Sequence, residues 1–129
     1  MNDKTILIID DVADHITLLK DILLENDYNV RASTASSHAI NSIWADKPDL
    51  IILDVNMPET DGYEMCSIIK SNKETSDVPV LFVSAMSNKV DKMRAYELGA
   101  SDYIEKPFIP LEVLTKVDTY LRLSYYDGV

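Results

Sequence analysis

Leu50-Ile51-Ile52-Leu53-Asp54, four branched aliphatic residues in a row closed by an acid, is the stretch on which the fold turns. A strand with one wet face alternates apolar and polar residues. A run without alternation is a strand covered on both faces, as at the centre of a parallel sheet. A second run of this kind stands at Ile6-Leu7-Ile8-Ile9, and it too runs into acids, Asp10 and Asp11. Three further short runs, Asn29 to Ala32, Val80 to Val83 and Asp102 to Ile104, bring the strands to five.

The segments between these runs carry helical spacing. From Asp14 to Asn26, Ile16, Leu19 and Leu23 with Leu18 and Ile22 form one apolar stripe, and charges cover the other side. A second helix is predicted from Ser37 to Ala45, with Ala39, Ile40, Ile43 and Trp44, stopping before Pro48; a third runs from Tyr63 to Ser71. The fourth, Lys89 to Leu98, is closed by Gly99, which suits the left-handed position past a helix end. The fifth begins at Pro110, a residue suited to a first turn, and continues through Leu114, Val117 and Leu121. Strict alternation of strand and helix gives an α/β class with a five-stranded parallel sheet, right-handed crossovers and helices on both faces. No linker, repeat or low-complexity stretch divides the chain. Residues 1–123 are therefore expected to form one domain, with Ser124 to Val129 as a tail or the start of a linker to an absent output domain.

Composition bounds the partners. The 129 residues, 47% of them hydrophobic, should bury roughly two-thirds of the unfolded surface, enough for one sizeable core but not for two, and this excludes a disordered chain. Twelve Lys+Arg against 22 Asp+Glu leave a net charge of −10, which argues against direct nucleic-acid binding by this domain, because such affinity comes mainly from basic side chains that release counterions. No apolar stretch approaches the roughly 20 residues that span a bilayer, and the opening Met1-Asn2-Asp3-Lys4 does not resemble a cleavable signal. A cytoplasmic protein with no membrane partner is expected. The single cysteine, Cys66, allows no internal disulfide, fits a reducing compartment and is best explained as a small apolar helix residue.

In an open parallel sheet, ligands gather beyond the carboxyl ends of the strands. There the first run is followed by Asp10-Asp11, the third by Asp54, the fourth by Ser84-Ala85 and the fifth by Glu105-Lys106-Pro107. Each has an ordinary explanation: Asp11 could cap the first helix, Asp54 could end a strand, Ser84 could satisfy a turn and Lys106 could be solvated. Their coincidence on one sheet edge points instead to a site. If the first and third strands are neighbours, three carboxylates converge, and a divalent cation or a buried ammonium relieves their repulsion. Magnesium is the natural candidate, a hard ion that prefers oxygen and keeps several waters. No Cys/His cluster exists for zinc, and His15 and His38, in different helices, are expected to be exposed or half-exposed surface residues.

Four ordered stretches carry a resemblance to a known family. They are Ile8-Ile9-Asp10-Asp11; Pro48-Asp49 through Leu53-Asp54-Val55-Asn56-Met57-Pro58 to Asp61-Gly62; Pro79-Val80-Leu81-Phe82-Val83-Ser84-Ala85; and Gly99-Ala100-Ser101-Asp102-Tyr103-Ile104-Glu105-Lys106-Pro107-Phe108. From about residue 4 to 123 the sequence resembles the response-regulator receiver domain of two-component signalling. The resemblance implies a doubly wound, flavodoxin-like sheet of order 2-1-3-4-5. It implies that Asp54 is the phosphoacceptor. Asp11 would bind Mg2+ directly with Asp54 and the backbone carbonyl of Asn56, and Asp10 would act mostly through a metal-bound water. Lys106, Ser84 and the Ala85 amide would hold phosphoryl oxygens.

The resemblance further implies a switch in which Ser84 moves toward the phosphoryl group and Tyr103 rotates inward. That motion would remodel the face of the fourth helix, fifth strand and fifth helix, where such domains dimerise or bind targets. The implied partners are a histidine kinase or histidine phosphotransfer protein, a second copy of the chain and an attached output domain. The domain would assist only its own phosphorylation and dephosphorylation. Pro58 and Gly62 would shape the loop and turn before the third helix, and the bond before Pro107 would be cis. Elementary chemistry agrees with these roles: a carboxylate is a poor nucleophile toward an anionic phosphoryl group, so the site must neutralise and align both reactants.

Departures from the family pattern are modest. Ser84 stands where threonine is also common, and Ser36 where many relatives have glycine. Met86 lies two residues after Ser84, at a position that tunes hydrolysis in the family; being apolar, it cannot orient an attacking water. Met86→Glu is expected to change the acyl-phosphate lifetime, as followed by loss of label over time. Two other functions compete. A haloacid-dehalogenase-like phosphatase would need an acid two residues after Asp54, where Asn56 stands, and a pseudo-receiver would have lost a site residue, whereas none is missing.

Overall fold

The computed structural model describes residues 3–55, 62–85 and 89–127. Its elements alternate as β1 (Thr5–Ile9), α1 (Ala13–Leu24), β2 (Asn29–Ser33), α2 (Ser36–Ala45), β3 (Leu50–Asp54), α3 (Gly62–Ser71), β4 (Val80–Ala85), α4 (Lys89–Glu97), β5 (Asp102–Lys106) and α5 (Pro110–Asp127). All strand pairings are parallel, in the order β2-β1-β3-β4-β5. This is the doubly wound α/β order that the resemblance implied. The two aliphatic runs lie side by side at its centre, with Ile6 opposite Leu50 and Ile9 opposite Leu53.

Side chains along a strand point alternately to opposite faces, so each uninterrupted run feeds two layers. Leu7, Ile9, Ile51, Leu53 and Phe82 pack on one side against Ala39 and Ile43 of α2, Met65, Cys66 and Ile69 of α3 and Ala95 of α4. Ile6, Ile8, Leu50, Ile52, Leu81 and Val83 pack on the other against Leu19 and Leu23 of α1 and Val113, Val117 and Leu121 of α5. The single sizeable core expected from chain length is thus divided in two by the sheet. The domain remains one, because both layers share the same strands.

Helix ends account for the differences from the sequence-based bounds. α1 stops at Leu24 rather than Asn26, because Asp27 takes a left-handed φ of 66° and the Tyr28 N–H turns back to the Leu23 carbonyl at 3.3 Å. Gly99 has a φ of 99°, as its position after α4 requires. Gly62 serves a different purpose from the permissive turn expected of it. Its φ is not left-handed; instead, a Cβ there would lie 2.6 Å from the Asp54 carbonyl oxygen and 2.6 Å from the Val55 Cα. α3 starts so close against the end of β3 that only hydrogen fits. At the far end of the chain, α5 continues past Leu123 to Asp127, so the expected tail begins as helix. No described helix is long and apolar enough to cross a membrane.

Cys66 is fully buried in α3, with its Sγ 3.7 Å from the Leu98 carbonyl oxygen, and burial pushes its thiol up to about 11. The thiolate is the reactive form, so it is doubly withheld by burial and by protonation. Alkylation of the folded protein at neutral pH is expected to run at least about a hundredfold slower than in denaturant. Iodoacetamide labelling followed by intact mass checks this, and equal rates would place the thiol on the surface.

Candidate functional site

Four adjacent strands, β1, β3, β4 and β5, finish on one edge of the sheet. The register pairs Ile9 with Leu53, Asp54 with Val83, Ser84 with Glu105 and Ala85 with Lys106. Asp10, Asp54, Ser84 and Lys106 are therefore delivered to one place by parallel pairing alone. Asp10 is 1% exposed and Asp54 2%. Two carboxylates withdrawn from water in this way are costly unless something positive or hydrogen-bonding meets them.

Part of the compensation is visible. The Lys106 Nζ stands 3.9 Å from the Asp54 Oδ2, a long ion pair with its lysine end partly in water. Asp10 is held more closely: its Oδ1 accepts the Val12 N–H at 2.9 Å, and its Oδ2 lies 3.0 Å from the His15 Nδ1. Asp11 does not take the helix-capping role considered for it: α1 has Val12 at its N-cap and no side-chain cap bond, and the Asp10 carboxylate closes a turn on the Val12 N–H just before the helix. Ser84, 5% exposed, has a buried hydroxyl without a hydrogen-bond partner. A buried hydroxyl left unsatisfied costs about 1–3 kcal/mol, which a ligand oxygen placed on this edge would recover.

One compact donor group stands out among the described residues: Asp10, His15 and Asp54, each offering a ligand atom within 4.8 Å of the others. Oxygen ligands of a small divalent ion sit about 2.0–2.1 Å from it, hence about 3–4 Å from one another, so donor atoms within 4.8 Å need only a small adjustment to hold such an ion. The trio expected from sequence was Asp10, Asp11 and Asp54. Asp11 is exposed and does not join the compact group. The reason is local. The Asp10 N–H still bonds the Ser33 carbonyl at 3.1 Å, so Asp10 extends the β1 ladder inward, whereas Asp11 is the first bend residue on the way out to α1.

His15 is half-exposed, within the expectation for it, but its contact with Asp10 was not foreseen: its side chain is 26% exposed and its ring is edge-on to Phe108 at 6.0 Å. A usable signal existed. α1 starts almost directly at the end of β1, so a residue of its first turn faces back over that strand end. His38, by contrast, is exposed.

On the β5 side, Tyr103 is half-buried, with its ring 6.2 Å from Tyr96 of α4 and 4.9 Å from the Lys116 Nζ of α5. Lys116 also donates to the Tyr103 carbonyl at 2.6 Å. Asp102 ties the same three elements together, accepting from the Tyr96 hydroxyl at 3.3 Å and from the Tyr120 hydroxyl at 3.0 Å. Burial pushes the Tyr120 phenol up to about 12, helped by its bond to Asp102. The peptide bond from Lys106 to Pro107 is cis, as the resemblance implied. Asn56 with its carbonyl, Pro58 and Met86 lie outside the described residues.

Comparison with known proteins adds an independent line. The family model described as "Response regulator receiver domain" matches residues 6–118. The chain is 37% identical over 126 residues to the transcriptional regulatory protein YvrH of Bacillus subtilis (strain 168), covering 97% of this chain and 52% of that one. It is 38% identical over 122 residues to the alkaline phosphatase synthesis transcriptional regulatory protein PhoP of the same organism, covering 95% and 50%. It thus spans about half the length of these curated relatives. Among solved structures, the signal receiver domain of a signal transduction histidine kinase from Syntrophus aciditrophicus superposes with a TM-score of 0.85 at 34% identity, covering 92% of this chain and 90% of that one. With its strand order and acid-lined sheet edge, the chain belongs to the response regulator receiver domain family.

Proposed function

We propose that the chain works as a phosphorylation-activated signalling switch in which Asp54 accepts a phosphoryl group from a phosphohistidine on a histidine kinase or histidine phosphotransfer protein. The observation that carries this reading is the convergence on one sheet edge of a buried Asp54, the Lys106 ammonium 3.9 Å away and the unpartnered Ser84 hydroxyl. An Asp54 oxygen attacks phosphorus; the P–O bond forms as the P–N bond breaks, and its electron pair returns to the donor's imidazole. Lys106 offsets the charge gathered on the phosphoryl oxygens, while Ser84 and the Ala85 N–H donate to them. Mg2+, held by Asp10, Asp11, Asp54 and the Asn56 carbonyl, would supply further charge neutralisation and alignment.

The new dianionic group then biases the switch. Ser84, drawn toward a phosphoryl oxygen, leaves room for Tyr103 to turn inward, away from Tyr96 and Lys116. α4, β5 and α5 share that joint through Asp102, so their outer face changes shape. This face would serve a second copy of the chain, a target or an attached output domain. The half-length match to two transcriptional regulators favours an attached domain that does the nucleic-acid binding, in the cytoplasm. No further catalysis is assigned to the domain itself.

The test is Mg2+-dependent labelling of the purified chain by a small phosphodonor. One label per chain, absent from Asp54→Asn, is the expected result. Repeated turnover of a generic phosphate monoester would instead favour the phosphatase reading, and no labelling with Mg2+ present would overturn the proposal.

A further inference from the structure

The receiver reading leaves His15 without a role, yet it is one of the three residues of the compact donor group. Its Nδ1 faces the Asp10 Oδ2 at 3.0 Å, and its ring is braced on another side by Phe108. A neutral imidazole nitrogen and a carboxylate oxygen are both electron-pair donors unless the nitrogen carries the proton. At 3.0 Å they face one another stably only with something positive between them, either the ring proton on Nδ1 or a cation. With the second Asp10 oxygen bonded to the Val12 N–H, the carboxylate is fixed in this orientation. The geometry thus presents one nitrogen and two carboxylates at a spacing that a single ion can bridge.

We propose that His15 is a nitrogen ligand of the divalent cation at this edge, so that the pocket accepts a borderline transition-metal ion, of the cobalt, nickel or zinc class, better than its carboxylates alone would allow. This rests on the reading of the Asp54 edge as a cation site and adds a specificity-determining residue to it. Mg2+ is a hard ion that gains little from imidazole, whereas the later first-row ions gain a strong bond. Binding of such an ion would exchange one N–H···O contact for a metal–nitrogen bond, the Nδ1 proton leaving to solvent or to Nε2.

Selectivity, not bare affinity, separates this role from a purely structural one. Loss of an orienting hydrogen bond weakens every metal alike. His15→Asn keeps an N–H able to reach Asp10 but removes the imidazole. Calorimetric titration of the purified chain and of His15→Asn at one fixed pH with Mg2+, Mn2+ and Ni2+ should show Ni2+ affinity falling about tenfold or more in the variant, with Mg2+ within about twofold. Electron spin-echo modulation of the Mn2+ complex should show a directly bound nitrogen in the parent and none in His15→Asn. An equal loss for all three metals, or a parent Mn2+ complex with no bound nitrogen, would overturn the assignment of His15 while leaving the cation site standing. If neither protein binds any of the three ions, the cation site itself falls and the assignment falls with it.

Discussion

Asp54→Asn is expected to abolish phosphoryl acceptance and, in metal-free buffer, to raise the unfolding temperature. The first effect follows from chemistry, since a neutral amide oxygen is not a nucleophile toward phosphorus. The second follows from burial. Asp54 is 2% exposed, its ligand atom lies within 4.8 Å of that of the equally buried Asp10, and at an effective dielectric near 20 such a pair repels by about 3 kcal/mol. Desolvation of the carboxylate adds several kcal/mol more. The ion pair to the partly exposed Lys106 at 3.9 Å, weakened by solvent, offsets part of this cost. Relief of the Asp10–Asp54 repulsion sets the expected direction, a more stable amide in metal-free buffer. Thermal unfolding with and without Mg2+ checks the balance: the parent should gain stability from the ion, and the variant should start higher and gain less. A variant less stable than its metal-free parent would mean that the Lys106 pair outweighs burial.

Gly62→Ala should be strongly destabilising, by about 2–4 kcal/mol, although a helix ordinarily gains from that exchange. In a helix interior alanine exceeds glycine by up to about 1 kcal/mol, and less at a first turn. Here the added Cβ would sit 2.6 Å from both the Asp54 carbonyl oxygen and the Val55 Cα, backbone atoms with no rotamer to escape into. α3 would have to withdraw, stretching the Gly62 N–H bond to the Val55 carbonyl, now 3.1 Å. Because the displaced backbone carries Asp54, labelling should fall as well. Urea unfolding of Gly62→Ala provides the measurement, and a stability equal to or above the parent's would show that the strand end yields at little cost. Gly62→Ser, with the same Cβ, should behave alike.

These two residues mark how far the sequence could be read. Asp54 was legible because an acid that ends an unbroken aliphatic run sits, by the two-residue period of a strand and the polarity of a parallel sheet, at a known edge. Gly62 was legible as a constrained position, but as a turn; the close approach of α3 to β3 is a distance between two elements, and no local pattern encodes it. The same holds for Asp11 and His15. Both lie near the end of β1, and only the path of the chain as it leaves the sheet left one exposed and brought the other within 3.0 Å of Asp10.

By itself the sequence determined the five strands, the helices between them, and the edge on which Asp10, Asp54, Ser84 and Lys106 meet. Each of these follows from a short-range periodicity or from the direction in which a parallel strand runs. Tertiary structure alone decided that the core is two layers, that Gly62 must lack a side chain, and that an imidazole takes the third place beside the two buried acids. Those outcomes depend on how separately formed elements press together, where tenths of an ångström between atoms remote in sequence set the energy.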